Sequence, residues 1–171
     1  MILKREYFYG PATHLAPDLL GKILCRRTDD GVIRARIIET ECYFGEDDTA
    51  CHAHKGKTDR TRPMYESGGI TYVYLCYGIH SMLNLVTGPE GHPEAVLIRG
   101  VEGAEGPGRA TKHLNISTKD NFLPLDEESG IWIEDDGKPV PEYDALPRVG
   151  IDYANKADRE RKWRFVVKIK E

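Results

Sequence analysis

One short stretch of the chain gathers the residue types that acid–base chemistry needs. Glu39 and Glu41 lie two residues apart at the end of an apolar run, Tyr43 follows, and His52 and His54 come after an acidic loop. A carboxylate that follows an apolar row leaves bulk water, which raises its pKa and suits it to a general base. The same pattern is also typical of a strand end that emerges into solvent.

Runs of alternating or β-rich residues predict the strands that position these carboxylates. The runs span residues 22–28, 32–41, 70–77, 81–87, 95–101, 131–134, 148–151 and 163–169. In the second run Ile33, Ala35 and Ile37 share one face, and continued alternation places Glu39 and Glu41 on that face as well. Strand phase therefore does not separate the two carboxylates.

Two short helices and one long loop complete the predicted elements. Residues 12–20 favour a helix in which Pro17 is tolerated only near the first turn, and the chain before it is expected to be extended. Residues 106–115 favour a second helix with Pro107 in its first turn. Residues 44–68 read as a loop, and a loop that long in a compact domain is usually functional.

Aromatic and basic residues at predicted turns indicate contacts outside the core. Tyr72 and Tyr74 face one way on a predicted strand, and Tyr77 lies at the following hairpin tip, where packing does not explain an aromatic side chain. Arg109 lies at the start of the second predicted helix, where the helix dipole favours anions. A solvated surface helix is the alternative.

Composition limits the class of protein. A chain of 171 residues with 40% hydrophobic content predicts one domain with a sizeable core. The sequence shows neither an apolar run of about 20 residues nor a signal peptide, so an intracellular, soluble protein is expected. The net charge of -4 argues against a uniformly basic surface, but basic residues cluster at 55–62 and 159–170, which permits one basic face.

Three classes of chemistry are compatible with these residues. A metal-dependent hydrolase would use ligands from the set Cys42, Cys51, His52 and His54, although neither CxxC nor HExxH spacing is present. A Cys–His or Ser–His enzyme lacks a G-x-S-x-G elbow. Chemistry on a nucleic-acid base needs phosphate contacts, a wedge, an aromatic pocket and a base. Its candidates are Arg109, Tyr77, the trio Tyr43, His52 and Tyr74, and Glu41.

The sequence resembles the alkyladenine (3-methyladenine or methylpurine) DNA glycosylase family at these same residues. The strongest matching segments are residues 36–43, 50–52, 69–84 and 95–99. Weaker matches lie at residues 19–22, 106–109 and 147–151. The segments follow the family order over nearly the whole chain, which makes the resemblance specific.

The resemblance implies an α+β fold and a repair activity. It implies that residues 1–171 form one mixed domain around a curved antiparallel β-sheet with a protruding β-hairpin. It also implies a monofunctional glycosylase, without lyase activity, that flips alkylated or deaminated purines out of double-stranded DNA and hydrolyses the N-glycosidic bond. The expected lesions are 3-methyladenine, 7-methylguanine, hypoxanthine and ethenoadenine. The resemblance calls for no metal, nucleotide cofactor or obligate protein partner, and places the protein at a nucleoid or in a nucleus.

The resemblance also assigns roles to nine residues of this chain. Two are implied to be catalytic: Glu41 activates water and Arg99 helps to hold it. Four are implied to bind the flipped base, with Asn84 disfavouring normal guanine: Tyr43, His52, Tyr74 and Asn84. Three are implied to contact DNA, with Tyr77 as the wedge in the minor groove: Tyr77, Met82 and Arg109.

One departure from the family and one alternative function remain. The resemblance implies a segment beyond the Trp163 strand that lends a main-chain carbonyl to the water, whereas this chain ends at Glu171. The water site is therefore expected to be incomplete or built differently. The alternative is a hydrolase or binding protein for a free nucleoside or nucleotide, which would use the same carboxylate and aromatic pocket.

Overall fold

The computed structural model describes residues 1–169 as an α+β fold built on one curled antiparallel sheet, as expected from the sequence. The strands are β1 (Ile23–Thr28), β2 (Gly31–Phe44), β3 (Thr71–Cys76), β4 (His80–Val86), β5 (Glu94–Val101), β6 (Ala104–Glu105), β7 (Ile131–Glu134), β8 (Tyr143–Leu146) and β9 (Arg164–Val167). The helices are α1 (Ala12–Asp18), α2 (Pro107–His113) and α3 (Lys156–Glu160). No helix among these described residues is long and apolar enough to span a membrane.

Strand β2 is the element that joins the parts of the sheet. The sheet order is β3-β4-β5-β2-β1-β7, with β6 beside β5 and with β9 beside both β2 and β8. The first half of β2 pairs with β1 through a two-residue turn, because Thr28 lies opposite Gly31. Its second half pairs with β5 and, over residues 39–41, with β9. The carboxylates therefore lie in the most heavily paired part of the sheet.

A pair of bulges overturns the predicted phase of β2. Ile37 lies opposite Val101, Glu39 opposite Gly100, and Thr40 opposite Ile98, so Ile38 is extra on β2 and Arg99 is extra on β5. Ile37 and Cys42 both belong to the main core cluster, and Thr40 is fully buried. Glu39 and Glu41 do share a face, but it is the face opposite Ile37. A bulge re-aims side chains in this way and is common beside active sites.

Strands β3 and β4 are joined by a tight turn that holds Tyr77 in a strained conformation. Cys76 pairs with His80, and the intervening Tyr77 has a φ of 52°. A left-handed φ is rare for a bulky residue and is unfavourable in energy, so the surrounding structure must hold the residue in this conformation. The base of this turn is fixed to α2, where Thr111 Oγ1 donates to Ser81 O at 2.8 Å.

Helix α1 covers the core face of β2. Its Leu15 and Ala16 are buried, and Ala16 O accepts a 2.7 Å hydrogen bond from Thr40 Oγ1. The expectation that Pro17 lies near the first turn is wrong, because Pro17 lies in the last turn of α1. Pro17 has no N–H to donate to the Thr13 carbonyl, so α1 lacks that hydrogen bond, and the helix ends one residue later.

Two other expectations differ from the structure, and two short elements were not predicted. The first ten residues are not uniformly extended, because residues Arg5–Tyr9 form a 3-10 turn that buries Phe8. Residues 148–151 are irregular rather than a strand, and β9 pairs with β8 and β2. Strand β8 and helix α3 have four and five residues and are mostly exposed, so neither is long enough to show the apolar periodicity that sequence reasoning uses.

Candidate active site

A cavity of about 1030 Å³ opens on the face of the sheet opposite α1. All nine residues singled out from the sequence line it. They are Glu41, Tyr43, His52, Tyr74, Tyr77, Met82, Asn84, Arg99 and Arg109. The structure therefore brings together side chains that β2, β3, β4, β5, α2 and the loop after β2 contribute separately.

Glu41 is a fully buried carboxylate whose two oxygens have separate partners. Oε1 accepts a 2.8 Å hydrogen bond from the Tyr43 hydroxyl, and Oε2 accepts a 2.7 Å hydrogen bond from the main-chain N–H of Val149. Burial raises the pKa of Glu41, and Arg99 together with these two hydrogen bonds opposes the increase. Such a carboxylate is fixed in orientation and is a stronger base than an exposed one.

Arg99 connects the two carboxylates of β2. Its Nε donates to Glu39 Oε2 at 2.9 Å, and its Nη1 lies 3.8 Å from Glu41 Oε1. Arg164 Nη1 lies 3.6 Å from the same Glu39 oxygen. The bulge at Arg99 is what turns this guanidinium toward the cavity rather than the core. Glu39 is thus engaged by cations, which leaves Glu41 as the carboxylate of the cavity.

An aromatic wall is formed by the loop after β2 and by strand β3. The rings of His52 and Tyr74 have centroids 4.4 Å apart, and His52 Nδ1 lies 3.0 Å from the Tyr72 hydroxyl. Burial and the positive charge of Arg60 lower the pKa of His52 to about 4, so its ring is neutral near pH 7. Arg60 itself lies over the Tyr74 ring, 5.3 Å from the centroid. A neutral imidazole offers a flat stacking surface and one ring nitrogen that accepts a hydrogen bond.

The remaining lining of the cavity is polar in one place and apolar in another. Asn84 is buried and its Nδ2 donates to Tyr72 O at 3.2 Å, which fixes the amide plane. Met82 is only 8% exposed, so it lies inside the cavity rather than on the open surface. Leu97, two residues before Arg99 on β5, adds apolar surface to the lining of the cavity.

The mouth of the cavity carries an exposed aromatic residue and several cations. Tyr77 is 92% exposed, and its neighbour in the turn, Ile79, is 74% exposed. Arg60, Arg109 and Lys112 are exposed lining residues around the same opening. An apolar tip flanked by cations is suited to a polyanion with stacked rings, since one part meets phosphates and the other meets bases.

Sequence reasoning missed several residues that shape the site. Arg60 and Leu97 line the cavity; they lie in the basic cluster 55–62 and in the matching segment 95–99, but neither was given a role. Val149 supplies the main-chain group next to Glu41, although only a weak match at residues 147–151 pointed to this segment. That main chain precedes β9, and it gives an N–H to Glu41 rather than a carbonyl to a water, so the expectation of a water site that is incomplete or built differently stays a prediction.

The metal-ligand hypothesis finds no clustering in the structure. Over residues 1–169, no group of three or more His, Cys, Asp or Glu side chains is arranged to hold a metal ion. Cys42 is in the main core cluster, and Cys51 is buried in a second cluster. His54 Nδ1 lies 2.6 Å from the Glu46 main-chain oxygen. These residues are accounted for by packing and local hydrogen bonds.

Comparison with known proteins identifies the family. The profile of the methylpurine-DNA glycosylase (MPG) family matches residues 6–105 and 102–171. The chain belongs to the methylpurine-DNA glycosylase family. A protein of Psychrobacter cryohalolentis is 44% identical over 91% of this chain and 87% of its own length. Relatives from Bdellovibrio bacteriovorus and Methanocella arvoryzae are 42% and 40% identical, over 92% and 96% of this chain and 91% of each relative. All three carry the name "Putative 3-methyladenine DNA glycosylase".

Membership of the methylpurine-DNA glycosylase family supports a hydrolase that acts on DNA and serves DNA repair. It agrees with the composition of the cavity, which pairs one buried carboxylate with an aromatic wall and a cationic mouth. The family alone does not assign a role to any of the nine residues, so those roles depend on the geometry.

A pH profile tests the assignment of Glu41 as the base. A base acts when deprotonated, so the excision rate should fall as pH falls through the pKa of Glu41, which burial places above the ordinary value of 4.5. Single-turnover rates on DNA that carries cationic 7-methylguanine are the measurement, because that base needs no added proton to leave. His52, with a pKa of about 4, titrates at a lower pH than the expected fall in excision rate. A rate that stays constant down to pH 4.5 would contradict the assignment.

Proposed function

We propose that this protein is a monofunctional DNA glycosylase that removes alkylated or deaminated purines from duplex DNA by hydrolysis. The observation that carries the proposal is the setting of Glu41, a fully buried carboxylate at the base of an aromatic cavity whose mouth holds a strained, exposed Tyr77. Residues 1–171 act together as one glycosylase domain in this proposal. The substrates are duplexes containing 3-methyladenine, 7-methylguanine, hypoxanthine or ethenoadenine.

Tyr77 opens the duplex in the first step. Its ring is 92% exposed at the tip of the β3–β4 turn and has no packing role there. Inserted from the minor groove, it fills the space that a flipped purine leaves and so offsets the lost stacking. Arg109 and Lys112 lie on the same rim, where they meet phosphates next to the opened step. The strained φ of Tyr77 keeps the ring pointed outward before DNA arrives.

The aromatic cavity then receives the flipped base. Tyr43 stacks on one face of the purine, and His52 with Tyr74 stacks on the other. Asn84 occupies the place where the exocyclic amine of guanine would go, and its amide is held by Tyr72 O. A normal guanine therefore loses affinity through a steric and hydrogen-bonding mismatch rather than through weaker stacking.

Hydrolysis follows from the position of Glu41. Glu41 takes a proton from water as the water oxygen bonds to C1′, and the electrons of the C1′–N bond leave with the purine. Its negative charge also favours the oxocarbenium-like sugar. A purine alkylated at N3 or N7 already carries a positive charge and leaves as a neutral base, whereas hypoxanthine must gain a proton. Arg99, 3.8 Å from Glu41 Oε1, helps to hold the water.

The cationic mouth favours DNA over a free nucleoside as the substrate. Arg60, Arg109 and Lys112 lie around the opening, and a free nucleoside has no phosphate for them to contact. A nucleoside hydrolase would also have no use for the exposed Tyr77. Binding to lesion duplex should weaken with salt with a log–log slope of about -0.9 per phosphate neutralised, whereas a nucleoside would show a flat response.

The direct test of the proposed function compares matched substrates. Purified protein is incubated with duplexes containing hypoxanthine, ethenoadenine or 7-methylguanine, with the undamaged duplex, and with the corresponding free nucleosides and nucleotides. We expect free base and an abasic site, revealed by alkaline cleavage, from at least one lesion duplex only. Release of base from nucleosides with no action on DNA would establish the alternative function instead.

A further inference from the structure

A buried ion pair next to the cavity is not used by any step of the proposed reaction. Arg148 Nη1 and Nη2 lie 2.6 and 2.9 Å from Asp48 Oδ2 and Oδ1, and the two side chains are 0% and 1% exposed. The guanidinium also donates to Cys42 O at 2.9 Å and to Asp158 O at 3.3 Å. Because desolvation offsets most of the attraction in such a pair, stability alone is a weak explanation for it.

The Asp48 carboxylate fixes two pieces of chain that carry base-binding residues. Its Oδ2 accepts the Phe44 N–H at 3.1 Å, and Phe44 directly follows Tyr43. Its Oδ1 accepts the Ala50 N–H at 3.1 Å, two residues before His52. The carboxylate thus ties the end of β2 to the start of the aromatic wall.

The Arg148 guanidinium fixes a third piece of chain, the segment at Val149, which contacts Glu41, the proposed general base. The next residue, Val149, donates its N–H to Glu41 Oε2 at 2.7 Å. The guanidinium also covers the ring of Tyr43, 5.0 Å from the centroid, and the ring of Trp163 at 5.1 Å. The planar fork makes its two bonds to Asp48 in one fixed geometry, which a lysine does not reproduce.

We propose that the Arg148–Asp48 pair is the positioning element of this active site, which holds Glu41, Tyr43 and His52 in register with one another. Neither side chain touches the substrate; both act through Val149 N–H, the end of β2 and the loop to His52. The inference rests on the proposed glycosylase function. It goes further than that function because it names what aligns the general base, Glu41, with the stacking residues Tyr43 and His52.

A second buried ion pair in the same chain provides the matched control. Arg26 and Asp120 lie 3.0 Å apart, with 16% and 9% of their side chains exposed, and neither lines the cavity. The experiment compares Arg148→Lys with Arg26→Lys. Four quantities are measured: the melting temperature, the single-turnover excision rate, the pH profile, and the Kd for DNA with a tetrahydrofuran abasic-site analogue.

We expect both variants to lose melting temperature but only Arg148→Lys to lose rate, by about 100-fold, because small misplacements of a reacting group have effects of that size. Binding to the tetrahydrofuran duplex should persist in both, since the rim is unchanged. An excision rate for Arg148→Lys equal to that of wild type would overturn the proposal, as would an equal loss in Arg26→Lys. Failure of the wild-type protein to excise any lesion would instead overturn the proposed function.

The pH profile separates positioning from general destabilisation. Loosening Val149 removes a hydrogen bond that favours ionised Glu41, so the acid limb of Arg148→Lys should move to higher pH. The limb of Arg26→Lys should stay in place, and a limb that stays in place in Arg148→Lys counts against the proposal. Lysine keeps the positive charge by which Arg148 also lowers the pKa of Glu41. The variant substitutes none of the other charged or titratable groups around Glu41, which are Glu39, Tyr43, Tyr74, Arg99, Tyr153 and Arg164.

A measurement on the wild-type protein covers the case in which Arg148→Lys does not fold. Val149 lies in an irregular segment and is 46% exposed, so its amide would exchange rapidly if the segment were free. Held by the ion pair against Glu41, the amide should exchange as slowly as the amides of β2. Rapid exchange of the Val149 amide would overturn the proposal without any substitution.

Discussion

Replacing Glu41 with glutamine should abolish base excision while leaving DNA binding intact. Glutamine keeps the shape of the buried side chain but cannot accept the proton from water, and loss of a general base slows a reaction by about 10²–10⁴-fold. Single-turnover excision from a 7-methylguanine duplex measures the loss, and Kd for the same duplex measures retention of binding. Because burial disfavours the charged form of Glu41, the neutral variant should keep its melting temperature.

The other carboxylate of β2 is the control for this prediction. Glu39 shares a face with Glu41 but is paired with Arg99 and Arg164, so Glu39→Gln should slow excision far less. Equal losses of excision rate in the two variants would show that the negative charge around Arg99 matters for the rate. Neither carboxylate could then be identified as the single general base. Full activity of Glu41→Gln would remove Glu41 from the base role.

Truncating Tyr77 to alanine should weaken binding to lesion duplex selectively. The ring fills the vacated base position, so its loss exposes a gap in the stack and weakens affinity by about 2 kcal/mol, roughly 30-fold in Kd. Titrations with lesion and undamaged duplexes of the same sequence make the measurement. Tyr77 is 92% exposed, so the folded protein should tolerate the change.

A tyrosine away from the cavity controls for loss of a surface aromatic residue. Tyr9 is 46% exposed and does not line the cavity, so Tyr9→Ala should bind both duplexes as wild type does. If Tyr77→Ala weakened binding to lesion and undamaged DNA equally, Tyr77 would be a general DNA contact. The wedge role would then have no support.

The sequence was sufficient to predict features that depend on local pattern. The alternation of β2 as far as Ile37 and the β-rich runs on either side of Tyr77 are local signals, and they lie where predicted. The resemblance added the grouping of nine residues, which the structure places around one cavity. A physical argument for which of Glu39 and Glu41 is the general base needed the hydrogen-bond and ion-pair partners that each carboxylate has in the fold.

Features that depend on distant pairing could not be predicted. The bulge that turns Glu39 and Glu41 away from the core is formed by Ile38, the extra residue on β2 where it pairs with β5, and the two strands lie about 60 residues apart in sequence. Residues 148–151 read as a strand by composition, but Asp48 and Glu41 hold this segment in an irregular path. The contacts of residues 148–151 with Asp48 and Glu41 join residues about 100 apart in sequence, and a local pattern of residue types does not show them.

One measurement tests the central claim most directly, namely release of intact base from a lesion duplex by wild-type protein and by Glu41→Gln, with the DNA strand followed in parallel. We predict that wild type releases the free damaged purine and leaves a strand that breaks only after alkali. Glu41→Gln should bind the same duplex and release no base. Base release by Glu41→Gln at the wild-type rate, or a strand broken by the enzyme without alkali, would contradict hydrolysis by a Glu41-activated water.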